Sequence, residues 1–344
     1  MKFSKTPGPR NLITDVTGLL VGNAQDTDLK SGVTVLICNQ HTMTASCGVL
    51  GGAPGTRETD LLQPEKSVSR IDAIVLSGGS AYGLDACSGV TAGLHKMGRG
   101  YTIGSTSVPI VPGAILFDLL NGGHKNWNIN PYSKLGRQAL KTASTHFELG
   151  SMGAGAGALT ATLKGGLGSA SLVLDEAMTV GALAAVNSVG TVTTPGERHF
   201  WAAPFEIGDE FGGLGPDPRT ELGYNFTTKK VHSENERCNT TIAVVATDAS
   251  MSKAQAKHVA TVAHAGIARA ILPSHMPSDG DIVFCVSTHP SQASASNDSL
   301  HAIVHGTTLC LSRAIARAIY CAQPHPTDLL PTWNIQNPKK FKHP

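Results

Sequence analysis

One stretch of the chain combines residue types that could carry out a reaction: Arg237-Cys238-Asn239-Thr240-Thr241-Ile242-Ala243-Val244-Val245-Ala246-Thr247-Asp248, where a polar segment meets an apolar run at a hydroxyl residue. If the Asn239–Thr240 bond is cut, Thr240 holds a free α-amine beside its own hydroxyl. An α-amine titrates at about 7.7–8.0, so a useful fraction is neutral near pH 7. It can take the hydroxyl proton directly or through one water. One residue then supplies both nucleophile and base, without a histidine. The same hydroxyl can make the cut. Its Oγ attacks the Asn239 carbonyl, the acyl group shifts from nitrogen to oxygen, and water opens the ester. The plain alternative is an asparagine in a turn followed by a strand-favouring threonine.

Other patterns are weaker. His301 and His305 stand i, i+4 without the glutamate of a zinc-protease helix, and no third ligand is evident. No metal and no cofactor is therefore expected. Gly79-Ser80-Ala81-Tyr82-Gly83 has its serine one residue out of register for a nucleophile elbow and reads as a glycine-rich strand-to-helix turn. Gly153-Ala154-Gly155-Ala156-Gly157 lacks the dinucleotide-binding spacing. The seven cysteines, Cys38, Cys47, Cys87, Cys238, Cys285, Cys310 and Cys321, are scattered and form no CxxC. That usage fits reduced, buried thiols in a cytoplasmic protein better than a cysteine nucleophile. The sequons at Asn225 and Asn239 lapse without a secretory route.

Composition excludes further classes. Lys plus Arg number 27 and Asp plus Glu 25, a net charge of +2, and no basic run precedes the Lys339-Lys340 tail. That argues against nucleic-acid and anionic-membrane partners. No apolar run approaches the roughly 18 residues of a membrane span, and the first residues lack the apolar stretch of a secretory signal. Hydrophobic residues make up 41% of the 344 and charged ones 15%, enough for a sizeable core. Glycine, 38 of 344, exceeds the usual ~7%, so many positions need special backbone angles or close approach.

The elements that must position Thr240 follow from periodicity. Residues 33–37, 73–77, 178–187, 240–247 and 281–287 read as strands; helices are expected near 84–95, 252–271 and 297–320. Ser252 is a plausible N-cap. Between Ser188 and Arg237 the chain is rich in Gly, Pro, charge and aromatics, and reads as a lid or linker. Strands interleaved with helices imply a layered α/β or α+β domain.

Several motifs occur together in one order: Ile13-Thr14-Asp15-Val16-Thr17-Gly18 with Val21-Gly22; Gly52-Ala53-Pro54-Gly55-Thr56-Arg57-Glu58-Thr59-Asp60; Leu76 to Ala86; Val108-Pro109-Ile110-Val111-Pro112; Gly153 to Gly157; and Asn239-Thr240-Thr241-Ile242. In these the chain resembles, over nearly its whole length, the L-aminopeptidase/D-amidase/D-esterase family. That family includes β-aminopeptidases and the nylon-oligomer (6-aminohexanoate oligomer) endo-hydrolase. Thr17 and Asn23 depart from the pattern, where Pro and His are expected, which bears on fine specificity rather than class.

The resemblance implies an α/β fold, an αββα four-layer sandwich of the N-terminal-nucleophile type. It implies one hydrolase domain over 1–344, self-cleaved into chains 1–239 and 240–344, and often a homotetramer. The nucleophile maps onto Thr240, and an oxyanion-stabilising asparagine onto Asn187. Asp279-Gly280-Asp281 matches the nylon-oligomer branch, and a carboxylate pair there could orient the Thr240 amine. Lys164 matches a family lysine near the nucleophile, and Tyr132 an active-site tyrosine. The substrate is then a small peptide, an amino-acid amide or ester, or an oligoamide. Two rivals are a 6-aminohexanoate-oligomer endo-hydrolase and an acyltransferase on a similar fold that passes the ester's acyl group to an amine. An unprocessed binding protein is the reading without chemistry.

Overall fold

The computed structural model describes residues 6–39, 42–175, 178–224, 227–230 and 239–338. Cys238 and the rest of the run before Asn239, the sequon at Asn225, the Lys339-Lys340 tail and the first five residues lie outside them. In chain order the elements are β1 (Leu19–Asp26), β2 (Ser31–Cys38), β3 (Met43–Val49), β4 (Thr56–Arg57), β5 (Arg70–Ile71), β6 (Ala73–Ser77), α1 (Asp85–Lys96), β7 (Tyr101–Ile103), β8 (Thr106–Val108), β9 (Gly113–Ile115), α2 (Tyr132–Lys141), β10 (Gly166–Asp175), β11 (Met178–Asn187), β12 (Thr240–Thr247), α3 (Lys253–Ala268), β13 (Ile282–Ser287), α4 (Asn297–Tyr320) and α5 (Trp333–Gln336). The α/β class expected from the sequence is what the chain adopts.

Two larger sheets carry the structure. One runs β1-β2-β6-β9-β4, the other β10-β11-β12-β13-β3-β5. The strand that opens on Thr240 is central in the second. It pairs antiparallel with β11 and parallel with β13, so both of its edges are hydrogen-bonded. Its run Ile242-Ala243-Val244-Val245-Ala246 is buried on both faces, which is why it reads as continuously apolar rather than alternating.

Three packed clusters explain the layering. Val21, Leu36, Ile74 and Leu76 of the first sheet meet Leu183, Val244, Phe284 and Val286 of the second. On the far side of the first sheet, Val33, Val35 and Val75 pack against Val90 and Leu94 of α1 and Leu135 and Ala139 of α2. On the far side of the second sheet, Val180, Val245 and Val283 pack against Val259, Ala263 and Ile267 of α3 and Ile303, Leu311 and Ile315 of α4.

Local chemistry sets the helix ends. Ser252 Oγ accepts the Gln255 N–H at 3.3 Å, and Gln255 Oε1 accepts the Ser252 N–H at 3.2 Å. This reciprocal pair satisfies two N–H groups left over at the start of α3. Ser296 Oγ caps α4 by accepting the Ser299 N–H at 3.2 Å. Within α4 the fully buried Arg313 is bound by Glu210 at 2.6 and 2.8 Å, the Ser171 carbonyl at 2.9 Å and Asn11 Oδ1 at 2.9 Å. Burial opposes charge on Glu210, but Arg313 holds the carboxyl below its usual range.

The described part of 188–230, expected as a lid or linker, is in part packed into the core. Phe200 and Phe211 are buried in the core beneath α4, 5.4 Å apart and edge to face, and Phe200 lies 5.5 Å from Trp333. Its aromatic residues bury enough apolar surface to dock the segment.

Candidate active site

The end of β11 and the start of β12 meet at one point. Asn187, the last residue of β11, is the register partner of Thr240, the first residue of β12. The loop before β13 completes the point from the other edge, because Asn239 bridges to Asp279 in parallel. Thr240, Asn187, Asp279 and Asp281 are 4%, 2%, 1% and 2% exposed, so their polar atoms interact with little screening by water.

The Thr240 hydroxyl donates to the carbonyl oxygen of Asn239 at 2.5 Å. The same oxygen accepts the Gly280 N–H at 2.8 Å. Two donors thus converge on the carbonyl of the peptide bond whose cutting the sequence implies. Gly280 is required by this approach. A Cβ there would stand 2.7 Å from Thr240 Oγ1 and 2.8 Å from the Ala53 carbonyl oxygen.

Asn187 is held by two backbone partners. Its Oδ1 accepts the Leu159 N–H at 2.9 Å and its Nδ2 donates to the Phe117 carbonyl at 2.9 Å. The second proton on Nδ2 is the one a developing oxyanion can use.

The two aspartates are held by backbone donors. Asp281 Oδ1 accepts the Thr241 N–H at 2.8 Å and its Oδ2 the His275 N–H at 3.1 Å. Asp279 accepts from Met276 at 2.9 Å and Val189 at 3.4 Å. Burial, followed by the charge of Asp281, pushes the Asp279 carboxyl up to about 6.

The remaining expected residues do not join this group. Lys164 Nζ donates to Asp328 Oδ2 at 2.7 Å and to the Gln323 carbonyl at 2.9 Å, and Lys30 binds the same aspartate at 3.1 Å. Its partners are therefore not the Asp279/Asp281 pair. The cation that faces Asp279 is Lys230, on the segment leading toward Asn239. Lys230 Nζ donates to the Ser188 carbonyl at 3.0 Å and to Asn239 Oδ1. Burial pushes this amine down to about 7, against the pull of Asp279. Tyr132, at the start of α2, is fully buried and donates to Ser31 Oγ at 2.8 Å. Its ring lies against Gly79, whose φ of +85° and lack of a Cβ admit it, and the Gly79 N–H donates to Asp118 at 2.8 Å. Burial, reinforced by Asp118, raises the phenol pKa further. Tyr132 thus sits behind the Asn187 side of the cleft, which Phe117 and Asp118 line.

Five of the described cysteines are unsuited to attack. Burial pushes Cys47 up to about 11 and Cys87 and Cys310 up to about 12, and raises Cys285 and Cys321 as well. Among the described residues no group of three or more His, Cys, Asp or Glu could hold a metal ion, and no helix is long and apolar enough to cross a membrane.

Sequence reasoning missed Lys230, the Gly280 N–H and His275. Lys230 and His275 carried a usable signal, being titratable residues just ahead of the Asn-Thr junction and the Asp-Gly-Asp turn.

Residues 11–328 match Peptidase family S58. An uncharacterized aminopeptidase of Mycobacterium bovis is 39% identical over 349 aligned residues, spanning 96% of this chain and 99% of that protein. A 6-aminohexanoate-oligomer endohydrolase of Kocuria sp. is 27% identical over 298 residues, 83% of this chain and 77% of that one. Among solved structures, the L-aminopeptidase D-Ala-esterase/amidase of Ochrobactrum anthropi, reported as a variant of the Ntn hydrolase fold, superposes with a TM-score of 0.68 at 21% identity, covering 96% of this chain and 92% of that one. That last likeness speaks to the fold. The family match and the 39% relative each span nearly the entire chain: the chain belongs to peptidase family S58.

Proposed function

We propose that this protein is a self-processing amide hydrolase whose nucleophile is Thr240. The observation that carries the reading is the Thr240 hydroxyl resting 2.5 Å from the Asn239 carbonyl oxygen, which the Gly280 N–H also binds at 2.8 Å. In the first step Oγ bonds to the Asn239 carbonyl carbon, the C–N bond breaks, and the hydroxyl proton passes to the Thr240 nitrogen. Water then splits the ester, leaving an Asn239 carboxylate and a free Thr240 amine. The Gly280 N–H stabilises the oxyanion of that step.

In the mature protein the amine takes the Thr240 proton as Oγ attacks a substrate carbonyl. It returns that proton to the leaving amine, and water releases the acyl group. Asn187 Nδ2 supplies a hydrogen bond to the oxyanion, and Asp279 with Asp281 orients the amine. Lys164 and Tyr132 act at one remove, through Asp328 and through Ser31. The fold is read as an αββα four-layer sandwich, assembled as a homotetramer in the cytoplasm.

The substrate class is small peptides and amino-acid amides or esters, in keeping with the relatives named aminopeptidases. A second reading, an oligoamide endo-hydrolase, is favoured by the Asp279-Gly280-Asp281 sequence and the similarity to 6-aminohexanoate-oligomer endohydrolases.

Intact-mass analysis of the active protein tests the mechanism: a chain beginning at Thr240 is expected, and Thr240→Ala is expected to stay whole and inactive. Fully active protein in one piece overturns it. Hydrolysis rates on amino-acid p-nitroanilides against linear 6-aminohexanoate oligomers separate the two substrate readings. Adding an amine acceptor, with product analysis, separates hydrolysis from acyl transfer.

A further inference from the structure

Behind the Asp-Gly-Asp turn lies a pair of histidines that the mechanism above does not use. His275 Nδ1 stands 2.8 Å from Asp281 Oδ2, and the His275 backbone N–H donates to the same oxygen at 3.1 Å. His275 takes up a left-handed backbone conformation, φ +57°, which a non-glycine residue adopts at some cost. That conformation brings the backbone N–H and the ring to one carboxylate oxygen, the N–H as a hydrogen bond and Nδ1 as a close charge contact outside hydrogen-bond geometry. The other oxygen of Asp281 accepts the Thr241 N–H at 2.8 Å. Behind His275, the ring of His264 from α3 packs edge to face at 4.9 Å, itself anchored at 2.9 Å from its Nε2 to the Gly48 carbonyl.

We propose that His275, backed by His264, is a positioning residue for the nucleophile: its ring fixes the Asp281 carboxylate, and through Asp281 the Thr241 N–H, in the placement that aims Thr240. This inference rests on the Thr240 reading given above.

The arrangement also has an electrostatic side. Two buried carboxylates, of which Lys230 faces Asp279, would favour the protonated Thr240 amine if Asp281 had no cation of its own, and a protonated amine is no base. A cationic His275 offsets Asp281 and leaves Asp279 to orient the amine. The titratable groups around the His275 ring are Asp281 and Asp279 of its own loop and, from α3, His264 with Lys257 beyond it. Burial opposes charge on His275, but Asp281 outweighs it and raises the ring above the ordinary histidine value. His264 goes the other way: burial pushes it down to about 4, so it backs its neighbour as a neutral ring.

The test compares wild type with His275→Asn, whose amide can still donate to Asp281 but cannot carry charge. The acid limb of the kcat/KM profile is expected to move up by roughly 0.5–1 pH unit in the variant, because the amine becomes harder to deprotonate. An equal loss at every pH, or no loss, leaves the midpoint in place and overturns the proposal. A second measurement does not depend on turnover. In Thr240→Ala protein, NMR titration of the His275 ring is expected above the ordinary value, falling by about one unit or more when Asp281→Asn is added. A ring that titrates identically with and without Asp281 overturns the pairing. Wild type that never yields a chain starting at Thr240 removes the mechanism and this inference together. Cleaved, active wild type with an indifferent His275→Asn removes this inference alone.

Discussion

Asn187 and Thr240 are direct register partners across the antiparallel pair of β11 and β12, one the last residue of its strand and the other the first. The backbone ladder therefore sets the spacing of the two residues, while Leu159 and Phe117 orient the amide. Asn187→Ala is expected to lower kcat by about 10²–10³-fold with a much smaller change in KM, the signature of a bond made mainly in the transition state. Steady-state kinetics on an amino-acid p-nitroanilide would show it. A change confined to KM would remove Asn187 from the oxyanion site.

Gly280 leaves no room for a methyl group beside the Thr240 hydroxyl. Gly280→Ala is expected to slow chain cleavage at least tenfold, because a Cβ forces the hydroxyl or the turn aside. Electrophoresis of freshly folded protein would show the uncut chain accumulating, while circular dichroism stays that of the parent.

Asp279 predicts a pH effect on stability. Its carboxyl is raised from 3.8 to about 6 in the folded protein. A raised carboxyl leaves folding unpenalised below the lower value, and its ionisation costs stability as pH climbs through the upper one. A shift of about two units is worth up to about 3 kcal/mol, the pull of Lys230 already included. Asp279→Asn should therefore gain in Tm relative to wild type between pH 4 and pH 8. A difference in Tm that is flat across that range would contradict the assigned burial.

Lys230 holds the side chain of Asn239 from the Ser188 side. Lys230→Met is expected to slow cleavage about tenfold by loosening the scissile peptide, and Lys230→Arg to restore most of the rate. The time course of the two-chain product in a cell-free synthesis reaction reads this directly. Equal rates in all three proteins would make Lys230 a bystander.

Arg313 carries a buried charge matched to Glu210. Removing one partner leaves the other unpaired inside the protein, so Arg313→Met is expected to destabilise by about 3–5 kcal/mol. Chemical denaturation would report it. Replacing Arg313 and Glu210 together with Met and Leu should recover much of the loss.

Elements with unbroken apolar runs or clear helical period were legible in the sequence. The strands at 73–77, 178–187 and 240–247 and the helix at 297–320 stand where the pattern set them, because burial on both faces or along one stripe writes itself into residue type. β10 went unread: Gly166-Leu167-Gly168-Ser169-Ala170-Ser171 is made of small residues that let α4 approach closely, and small residues carry little hydrophobic signal. The helix α2 was hidden behind a proline-tyrosine start. At the site, Thr240, Asn187 and the two aspartates were named through the family resemblance, and the structure brings them together. The partner of Lys164 was not legible, because Asp328 lies 164 residues away, and no local pattern foretells such a meeting. His275 lies six residues before its carboxylate, but only the turn of the chain at φ +57° makes them neighbours.

The place of β12 in its sheet decides what scission at its first residue would leave behind. The segment from 240 onward supplies two of the six strands and both covering helices of that layer, wedged between neighbours that belong to the other piece. The fragments would stay locked as an obligate pair, separable only by denaturing the whole. Folding must come before scission, and two halves synthesised apart would each lack the partner that completes their ladder.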